Sequence, residues 1–222
     1  MNYSLHLAIV YFVIKIGIVG SANAVPFSFD IPVANSTDVS VSTWTDKRDS
    51  KLTKQDLDFS CGASSLSTIL TYFYEKPTSE KQLLEDMDLP DVMASFDDLS
   101  KVSEKYGFIA KGVATNYETL AKIKIPVIVY LNHKRNDHFS VVRAIDNNKV
   151  YLSDSSWGNR ILSRKQFEKM WNTRNDLDLK GRVLLILPSN EQQKQQIDDK
   201  FTVIQDAQKL LRESPSLFRE FL

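Results

Sequence analysis

The fold is decided by residues 54–74, which read KQDLDFSCGASSLSTILTYFY. Cys61 stands where a polar turn becomes a helix, and Ser60 can cap that helix. The small residues after the cysteine leave room for another molecule near the sulfur. Apolar residues then recur at helical spacing, at Leu66, Ile69, Leu70 and Phe73. This spacing predicts a helix that begins at Cys61, ends near Lys76 and buries its apolar face in a core.

The position of Cys61 at the start of a helix suits a reactive thiol. The positive end of the helix dipole and the unpaired backbone N–H groups there favour the thiolate, which is the form that attacks carbonyls. Gln55 lies six residues upstream, close enough to fold back over the sulfur and donate an amide N–H. Cys61 is the single cysteine of the chain and can form no internal disulfide. The alternative is a small buried core residue, since free cysteines are often buried.

The composition narrows the classes of function. The chain of 222 residues carries 28 basic and 28 acidic side chains, so its charge indicates neither a nucleic-acid-binding surface nor a strongly acidic partner. One cysteine and two histidines outside the N-terminal segment, without paired ligand spacing, do not predict a metal site. A thiol enzyme needs no cofactor, and none is expected. This length supports one domain of ordinary size with an appendage.

The first 24 residues are typical of a signal peptide for export. Residues 7–19 are mostly apolar, and residues 22–24 read Ala-Asn-Ala, the small-x-small pattern that precedes a cleavage site. We therefore expect an exported protein, periplasmic or extracellular, with a lead-in segment over residues 25–49. An uncleaved anchor is the alternative, and only in that case is membrane contact expected through this segment. The apolar run is short for spanning a bilayer.

Helices are predicted mainly in the first half and strands in the second. Further helices are predicted at 79–87, 96–106, 116–122 and 164–171, and strands at 39–44, 108–114, 125–131, 139–145, 149–153, 160–162 and 182–187. Hairpin-type turns are expected at 146–148 and 158–159, and a charged surface loop at 46–54. This order predicts an α+β fold, with a helical half packed on a mostly antiparallel sheet.

The second half supplies candidate bases for the thiol. His138 stands at the start of the strand His-Phe-Ser-Val-Val, where its backbone is fixed and its side chain can reach a facing helix. That placement suits a general base that activates Cys61. His133, in the polar loop before this strand, is the alternative, although it is expected to be solvated. His138 is therefore the favoured base.

An orienting carboxylate and an oxyanion donor would complete the site. Asp154 closes the strand that follows the histidine strand, and adjacent antiparallel strands can bring it beside the base. Asp137 and Asp146 are the competing carboxylates. Asp137 adjoins the base in sequence, so its side chain should point elsewhere, and Asp146 has a sufficient role as a turn former. Gln55 would supply one oxyanion donor, and the backbone N–H of Cys61 would supply the other.

At these residues the chain resembles the double-glycine, bacteriocin-processing cysteine peptidases, which are papain-like. The resemblance covers about residues 50–188 and is carried by three boxes in order: Gln55 with Cys61-Gly62-Ala63, the strand at 138–142, and the segment 150–171 with its Asp, turn Gly and Phe…Trp helix. It implies a papain-like fold, a Cys-His-Asp triad and a glutamine in the oxyanion hole. It also implies a narrow cleft that admits small residues before the cut.

Two departures from the family pattern stand out. Ser155 follows the aspartate, where the family usually has proline. The best-known members are cytosolic domains of export ATPases that trim leader peptides after two glycines, whereas this chain begins with an expected export signal. The double-glycine substrate is therefore not carried over to this chain. A helical tail is expected over residues 189–222, either packed on the domain's own surface or docked on a protein partner or membrane surface.

The sequence thus predicts an exported papain-like cysteine peptidase that acts on a protein or peptide substrate. In this hypothesis Cys61 attacks, His138 shuttles the proton, Asp154 orients the imidazole and Gln55 helps to hold the oxyanion. A related thiol amidase or acyl transferase would use the same parts. A catalytically silent peptide-binding module is the alternative outside the enzymes, although such a module would be expected to lose the Cys or the His.

Overall fold

The computed structural model describes residues 43–89, 92–133, 136–146, 148–195, 197–198 and 201–202. The predicted export signal, residues 1–24, lies outside this part of the chain, and so does most of the lead-in segment. The predicted tail beyond residue 202 also lies outside it. Within the described residues, no helix combines the length and the apolar character needed to cross a bilayer.

The described residues form one antiparallel sheet of six strands with helices packed against it. The helices are α1 (Trp44–Arg48), α2 (Cys61–Tyr72), α3 (Glu80–Met87), α4 (Phe96–Lys105), α5 (Tyr117–Leu120), α6 (Arg164–Trp171) and α7 (Glu191–Gln195). The strands are β1 (Phe108–Thr115), β2 (Val127–His133), β3 (Asn136–Asp146), β4 (Lys149–Asp154), β5 (Gly158–Ser163) and β6 (Gly181–Pro188). Their order across the sheet is β1-β6-β2-β3-β4-β5. The predicted α+β class is confirmed.

Helix α2 begins at Cys61, as the sequence predicts, but its two ends differ from the prediction in detail. Ser60 is the N-cap residue, yet its hydroxyl makes no capping bond to the helix and donates instead to the Leu57 carbonyl at 2.7 Å. The helix ends at Tyr72, several residues before the predicted end near Lys76. The chain then turns through Glu75, which adopts a left-handed conformation with a φ of 49°.

Helix α2 is central to the fold because it is buried on every side. All ten residues from Cys61 to Leu70 are buried, so the predicted apolar stripe is only part of its contact surface. Its first turn is made of small residues, which allows a close approach to the sheet. A Cβ atom at Gly62 would lie 3.2 Å from the Phe139 ring of β3, which leaves no room for a larger residue there. The small residues of this turn therefore let the start of α2 pack closely on β3.

Apolar side chains form a core on each side of the sheet. The first core joins α2, α3 and α4 to the sheet through residues such as Leu66, Leu83, Leu99, Phe139 and Leu184. The second joins α5 and α6 to it through residues such as Leu120, Val129, Leu152, Phe167 and Trp171. Because neighbouring residues of a strand point to opposite faces, the continuous apolar runs of β2 and β6 supply both cores.

The first described part of the predicted tail packs against the domain. Phe201 is fully buried in the first core, and its ring lies 6.2 Å from that of Phe73. The Arg143 guanidinium lies over the same ring, and its Nε donates to the Phe201 carbonyl at 2.8 Å. Asp198 accepts from Lys51 at 2.9 Å. This stretch therefore lies against the surface of the peptidase-like domain.

Two local predictions are wrong. Trp44 does not end a strand: it begins α1, because Thr43 and Asp46 form a reciprocal capping box that stabilises a helical turn. Residues 39–42 of that predicted strand lie outside the described residues, and the predicted loop at 46–54 begins inside α1. The predicted turn at 158–159 is also wrong, because both residues belong to β5. The actual turn comprises residues 155–157, just after Asp154.

Candidate active site

The sulfur of Cys61 lies where the first turn of α2 meets the start of β3. The backbone N–H of Phe139 points at Sγ over 3.5 Å. Cys61 is only 1 % exposed, and the small residues after it pack against Phe139 and Leu99, so the open space that the sequence predicts beside the sulfur is filled. A substrate can reach the sulfur only if neighbouring side chains move. The small residues of the first helical turn, such as Gly62, let β3 come close enough for the contact between Phe139 and the sulfur.

His138 lies one residue before that contact and interacts with both the sulfur and a carboxylate. Its Nε2 lies 3.1 Å from Oδ1 of Asp154, and its side chain is 19 % exposed. Burial alone would lower the pKa of His138, but hydrogen bonds with Asp154 and with the Cys61 sulfur outweigh burial and raise the pKa to about 9. Since Nε2 faces the carboxylate, Nδ1 is the nitrogen left to exchange a proton with the sulfur.

The pairing of β3 with β4 brings the carboxylate to the imidazole. Val141 lies opposite Ser153 in this antiparallel pair, which places the next residue of β4, Asp154, beside the beginning of β3. Its Oδ1 accepts from His138 and also from the backbone N–H groups of Ser156 and Trp157, both at 3.1 Å. These two backbone bonds form the turn between β4 and β5 around the carboxylate.

The second carboxylate oxygen of Asp154 is held by two side chains that the sequence reading did not identify. Ser140 donates its hydroxyl to Oδ2 at 3.0 Å, and Arg160 donates from β5 at 2.8 Å. Burial would raise the pKa of Asp154, but the hydrogen bond and charge of His138, together with the charge of Arg160, lower it to about 2. Asp154 is fully buried, so these donors keep it ionised where an unpaired charge would be costly.

The competing residues lie elsewhere. Asp137 accepts from Asn132 at 2.8 Å, and hydrogen bonds from Tyr130 and Asn132 lower its pKa. Asp146 lies at the far end of β3, opposite Lys149. His133 pairs with Asn136 at the end of the β2–β3 hairpin, and its side chain lies outside the described residues. The catalytic roles assigned from the sequence stay predictions, but Cys61, His138 and Asp154 do come together.

The side chain of Gln55 is bound to Leu57, upstream of Cys61, and to the turn that follows Asp154. Its Nε2 donates to the Leu57 carbonyl at 2.9 Å. Its Oε1 accepts from the hydroxyls of Ser155 and Ser156 at 2.8 and 2.7 Å. The backbone N–H of Gln55 also donates to the Ser155 carbonyl at 3.2 Å. The predicted oxyanion donor is therefore tied to the turn that follows Asp154.

The sequence did not reveal Arg160 or Ser155 as site residues, because strand pairing and a loop contact bring them to the site. Arg160 in β5 pairs with Leu152 in β4, so only the strand pairing reveals that the Arg160 side chain can reach Asp154 at the end of β4. Ser155 was visible as a departure from the family pattern, which is the one signal that could have drawn attention to it. In the part of the chain that the structure covers, no cluster of His, Cys, Asp or Glu could hold a metal ion.

A helix that begins at a cysteine and packs on an antiparallel sheet bearing a histidine and an aspartate, in that chain order, defines the papain-like class of fold. Residues 49–175 match the model of the peptidase C39 family. The chain belongs to this family. This confirms the resemblance found in the sequence, since the solved structures that the chain matches include double-glycine peptidase domains.

Two solved structures show the likeness of fold. One is a double-glycine motif protease from an AMS/PCAT transporter, solved in complex with the leader peptide. It is 25 % identical to this chain with a TM-score of 0.53, and the match covers 62 % of this chain and 90 % of that one. The peptidase domain of Streptococcus ComA, a bifunctional ABC transporter of a quorum-sensing pathway, is 20 % identical with a TM-score of 0.53, covering 62 % and 97 %.

Curated relatives from Pseudomonas are similar over the same part of the chain. The probable functional amyloid protease FapD of Pseudomonas fluorescens is 33 % identical over 139 residues, which are 60 % of this chain and 62 % of the relative. FapD of Pseudomonas aeruginosa is 30 % identical over the same length. The match thus spans less than two thirds of the length of these relatives.

Proposed function

We propose that this protein is a cysteine peptidase that hydrolyses peptide bonds in a protein or peptide substrate, with Cys61, His138 and Asp154 as its catalytic residues. The observation that carries the proposal is the position of His138, whose imidazole interacts with the sulfur on one side and with a buried carboxylate on the other. Membership of a peptidase family supports the reaction class.

In the proposed reaction Sγ of Cys61 attacks the scissile carbonyl carbon. A C–S bond forms, and the carbonyl electron pair moves to the oxygen, which becomes the oxyanion. His138 then gives its proton to the leaving amine as the C–N bond breaks and an acyl-enzyme remains. Water attacks the acyl-enzyme, His138 takes a proton from it, and the thiolate leaves as the substrate's carboxyl group is released.

The neighbouring residues support each of these steps. Asp154 stays ionised and holds the Nε2 side of His138, so the imidazolium keeps one orientation through the reaction. Gln55 donates one of its two Nε2 hydrogens to Leu57. An amide nitrogen carries a second hydrogen, which we assign to the oxyanion together with the backbone N–H of Cys61.

The substrate in this proposal is an exported polypeptide that is cut after small residues. Two relatives motivate this class: the solved double-glycine protease is in complex with a leader peptide, and FapD is named a probable functional amyloid protease. Export of the enzyme itself, through cleavage after residue 24, belongs to the same proposal because enzyme and substrate must meet. The Ala-Asn-Ala end of the N-terminal segment supports it.

The experiment is hydrolysis of a fluorogenic peptide that ends in Gly-Gly before an aminomethylcoumarin group, together with cleavage of a mixed peptide library. We expect the purified protein from residue 25 onward to release coumarin, and Cys61→Ala and His138→Ala to release none above background. Asp137→Asn, which alters a nearby carboxylate outside the group, is the matched control and should keep full activity. A Cys61→Ala protein that still cleaves, or a native protein that cleaves neither substrate, would overturn the proposal.

The natural substrate can be sought by comparing the exported proteins of cells that carry native protein with those of cells that carry Cys61→Ala. The proposal predicts at least one exported protein whose new N-terminus is present only with the native enzyme. If cells that make active enzyme show no such terminus, the assignment of an exported substrate is wrong, whereas the coumarin assay still decides the reaction class.

A further inference from the structure

The turn between β4 and β5 holds the side chain of Gln55 by two hydroxyl groups. Ser155 and Ser156 both donate to its Oε1, at 2.8 and 2.7 Å. Ser155 is buried, with 1 % of its surface exposed, and its carbonyl accepts the backbone N–H of Gln55 at 3.2 Å. Proline is the usual residue of the family at the Ser155 position, and proline could make no such side-chain bond.

The Leu57 carbonyl and the two hydroxyls together fix the orientation and the position of the Gln55 carboxamide. The oxygen and nitrogen ends of a glutamine side chain have almost the same shape, so only hydrogen-bond partners distinguish them. The Leu57 carbonyl can only accept, so it requires the nitrogen on its side, which leaves Oε1 to accept from the two serine hydroxyls. The Leu57 carbonyl also accepts from Ser60, which adjoins Cys61. The Nε2 end of Gln55 therefore shares an acceptor with the residue that directly precedes Cys61.

Ser156 joins this arrangement to the catalytic carboxylate. Its backbone N–H donates to Oδ1 of Asp154 at 3.1 Å, while its hydroxyl donates to Gln55. Its carbonyl accepts from Nζ of Lys54 at 2.7 Å, which binds the turn to the segment that carries Gln55. One residue therefore contacts both the group that orients the base and the group that would bind the oxyanion.

A buried carboxylate holds the same segment from its other side. Both side-chain oxygens of Glu80 accept the backbone N–H of Asp56, at 3.2 and 3.1 Å. Glu80 is only 6 % exposed at the start of α3. The backbone next to Gln55 is thus held by α3 and by the turn, so the two serine hydroxyls need only anchor the oxygen end of the side-chain amide.

We propose that Ser155 and Ser156 are positioning residues for peptide hydrolysis, whose hydroxyls hold Gln55 with its amide oxygen away from the sulfur and its Nε2 toward the oxyanion. This inference rests on the proposed function, in which Gln55 is the oxyanion donor. The two hydroxyls act through Gln55, and the backbone bond from Ser156 to Asp154 is retained when either serine becomes alanine. Their contribution should therefore vanish when Gln55 is removed.

The test compares two reactions of Cys61 in the full chain. Hydrolysis of the Gly-Gly-coumarin peptide passes through an oxyanion, whereas alkylation by iodoacetamide is a direct displacement that forms none. Loss of one oxyanion donor typically lowers kcat about a hundredfold, so we expect that loss for Gln55→Ala. For the double variant Ser155→Ala, Ser156→Ala we expect kcat to fall about tenfold, since an amide held by the Leu57 carbonyl alone still donates to the oxyanion part of the time.

The alkylation rate should stay unchanged in these variants because the thiol and its base are intact. Ser155→Thr, which retains a hydroxyl, should recover most of the activity lost in Ser155→Ala. Ser153→Ala is the matched control, because its hydroxyl bonds Asn159 and not Gln55. In a Gln55→Ala background the double serine change should lower kcat less than about twofold further, as expected for residues that act as a unit.

The outcomes separate failure of this inference from failure of the proposed function. A native protein without peptide hydrolysis, or a Cys61→Ala variant that retains it, overturns the function and with it the inference. If Gln55→Ala lowers kcat but the double serine variant keeps native kcat, the inference alone is overturned. The inference is also overturned if the serine changes lower kcat by the same factor in the Gln55→Ala background as in the native protein. It is overturned too if they slow alkylation and hydrolysis to the same extent.

Discussion

Asp154→Asn removes the charge that holds the imidazole, and the structure allows its effect to be worked out. Interactions with Asp154 and Cys61 raise the pKa of His138 from 6.5 to about 9 against the opposing effect of burial. At about 1.4 kcal/mol per pH unit, this difference corresponds to about 3 kcal/mol in favour of the protonated imidazole. Asparagine keeps the size of the side chain but supplies no charge. His138 should then hold its proton less firmly.

Asparagine also reverses the hydrogen-bonding direction at one oxygen position. Every group that contacts the carboxylate is a donor, including the Ser140 hydroxyl and Arg160. An amide nitrogen there would face a donor, so the asparagine side chain must place its nitrogen toward either His138 or Arg160. Together with the lost charge, this should lower kcat/KM by about three to four orders of magnitude, as changes that leave a catalytic imidazole wrongly oriented do.

The assay is the pH dependence of kcat/KM for the fluorogenic peptide between pH 5 and 10. The native enzyme should lose activity on the alkaline side as His138 loses its proton near pH 9. In Asp154→Asn the residual activity should fall at a lower pH, closer to 6.5. Asp137→Asn should keep the native profile. An Asp154→Asn enzyme that retains a tenth of native activity, with its alkaline limb still near 9, would refute the reasoning.

Three further results concern stability. Arg160→Met leaves the buried Asp154 carboxylate without that cation, so the free energy of unfolding in urea should fall by about 2 kcal/mol, and an unchanged value would contradict the pairing. A Cβ atom at Gly181 would overlap the buried Trp171 ring, so Gly181→Ala should lower the free energy of unfolding by about 3 kcal/mol; an unchanged Tm would argue against this contact. The raised pKa of His138 should stabilise the fold fully below about pH 6.5, and this stabilisation should be lost as the pH rises through about 9. The lowered pKa of Asp154 should stabilise the fold above about pH 3.8, and this stabilisation should be lost as the pH falls toward about 2. Urea titrations across both pH ranges, with His138→Gln for comparison, should show these two losses.

The sequence predicts the elements that strong local patterns specify. The start of α2 follows from its apolar spacing, α6 lies where the sequence predicts a helix, and the strand that carries His138 follows from its apolar run. The ends of elements were harder to predict because competing hydrogen bonds decide them. Thr43 and Asp46 form a capping box in a segment whose alternation suggested a strand, and tertiary context decides between such local signals.

The site was predictable in its main residues but not in the contacts that hold them. Asp154 could be proposed from the order of strands, yet its partner Arg160 depends on the pairing of β4 with β5, which a sequence pattern does not fix. The misplaced turn shows the same limit. A glycine followed by asparagine suggested the turn at 158–159, whereas the bonds from residues 156 and 157 to the aspartate place it earlier.

The burial of Phe201 bears on where this chain can be truncated for study. A fragment that stops at residue 188, the predicted end of the domain, would lack an aromatic ring that fills space beside Phe73. Removal of a buried phenylalanine costs about 3–5 kcal/mol. Such a fragment would expose apolar core surface and be prone to aggregation. A fragment that extends past residue 202 retains the Phe201 ring that covers this surface.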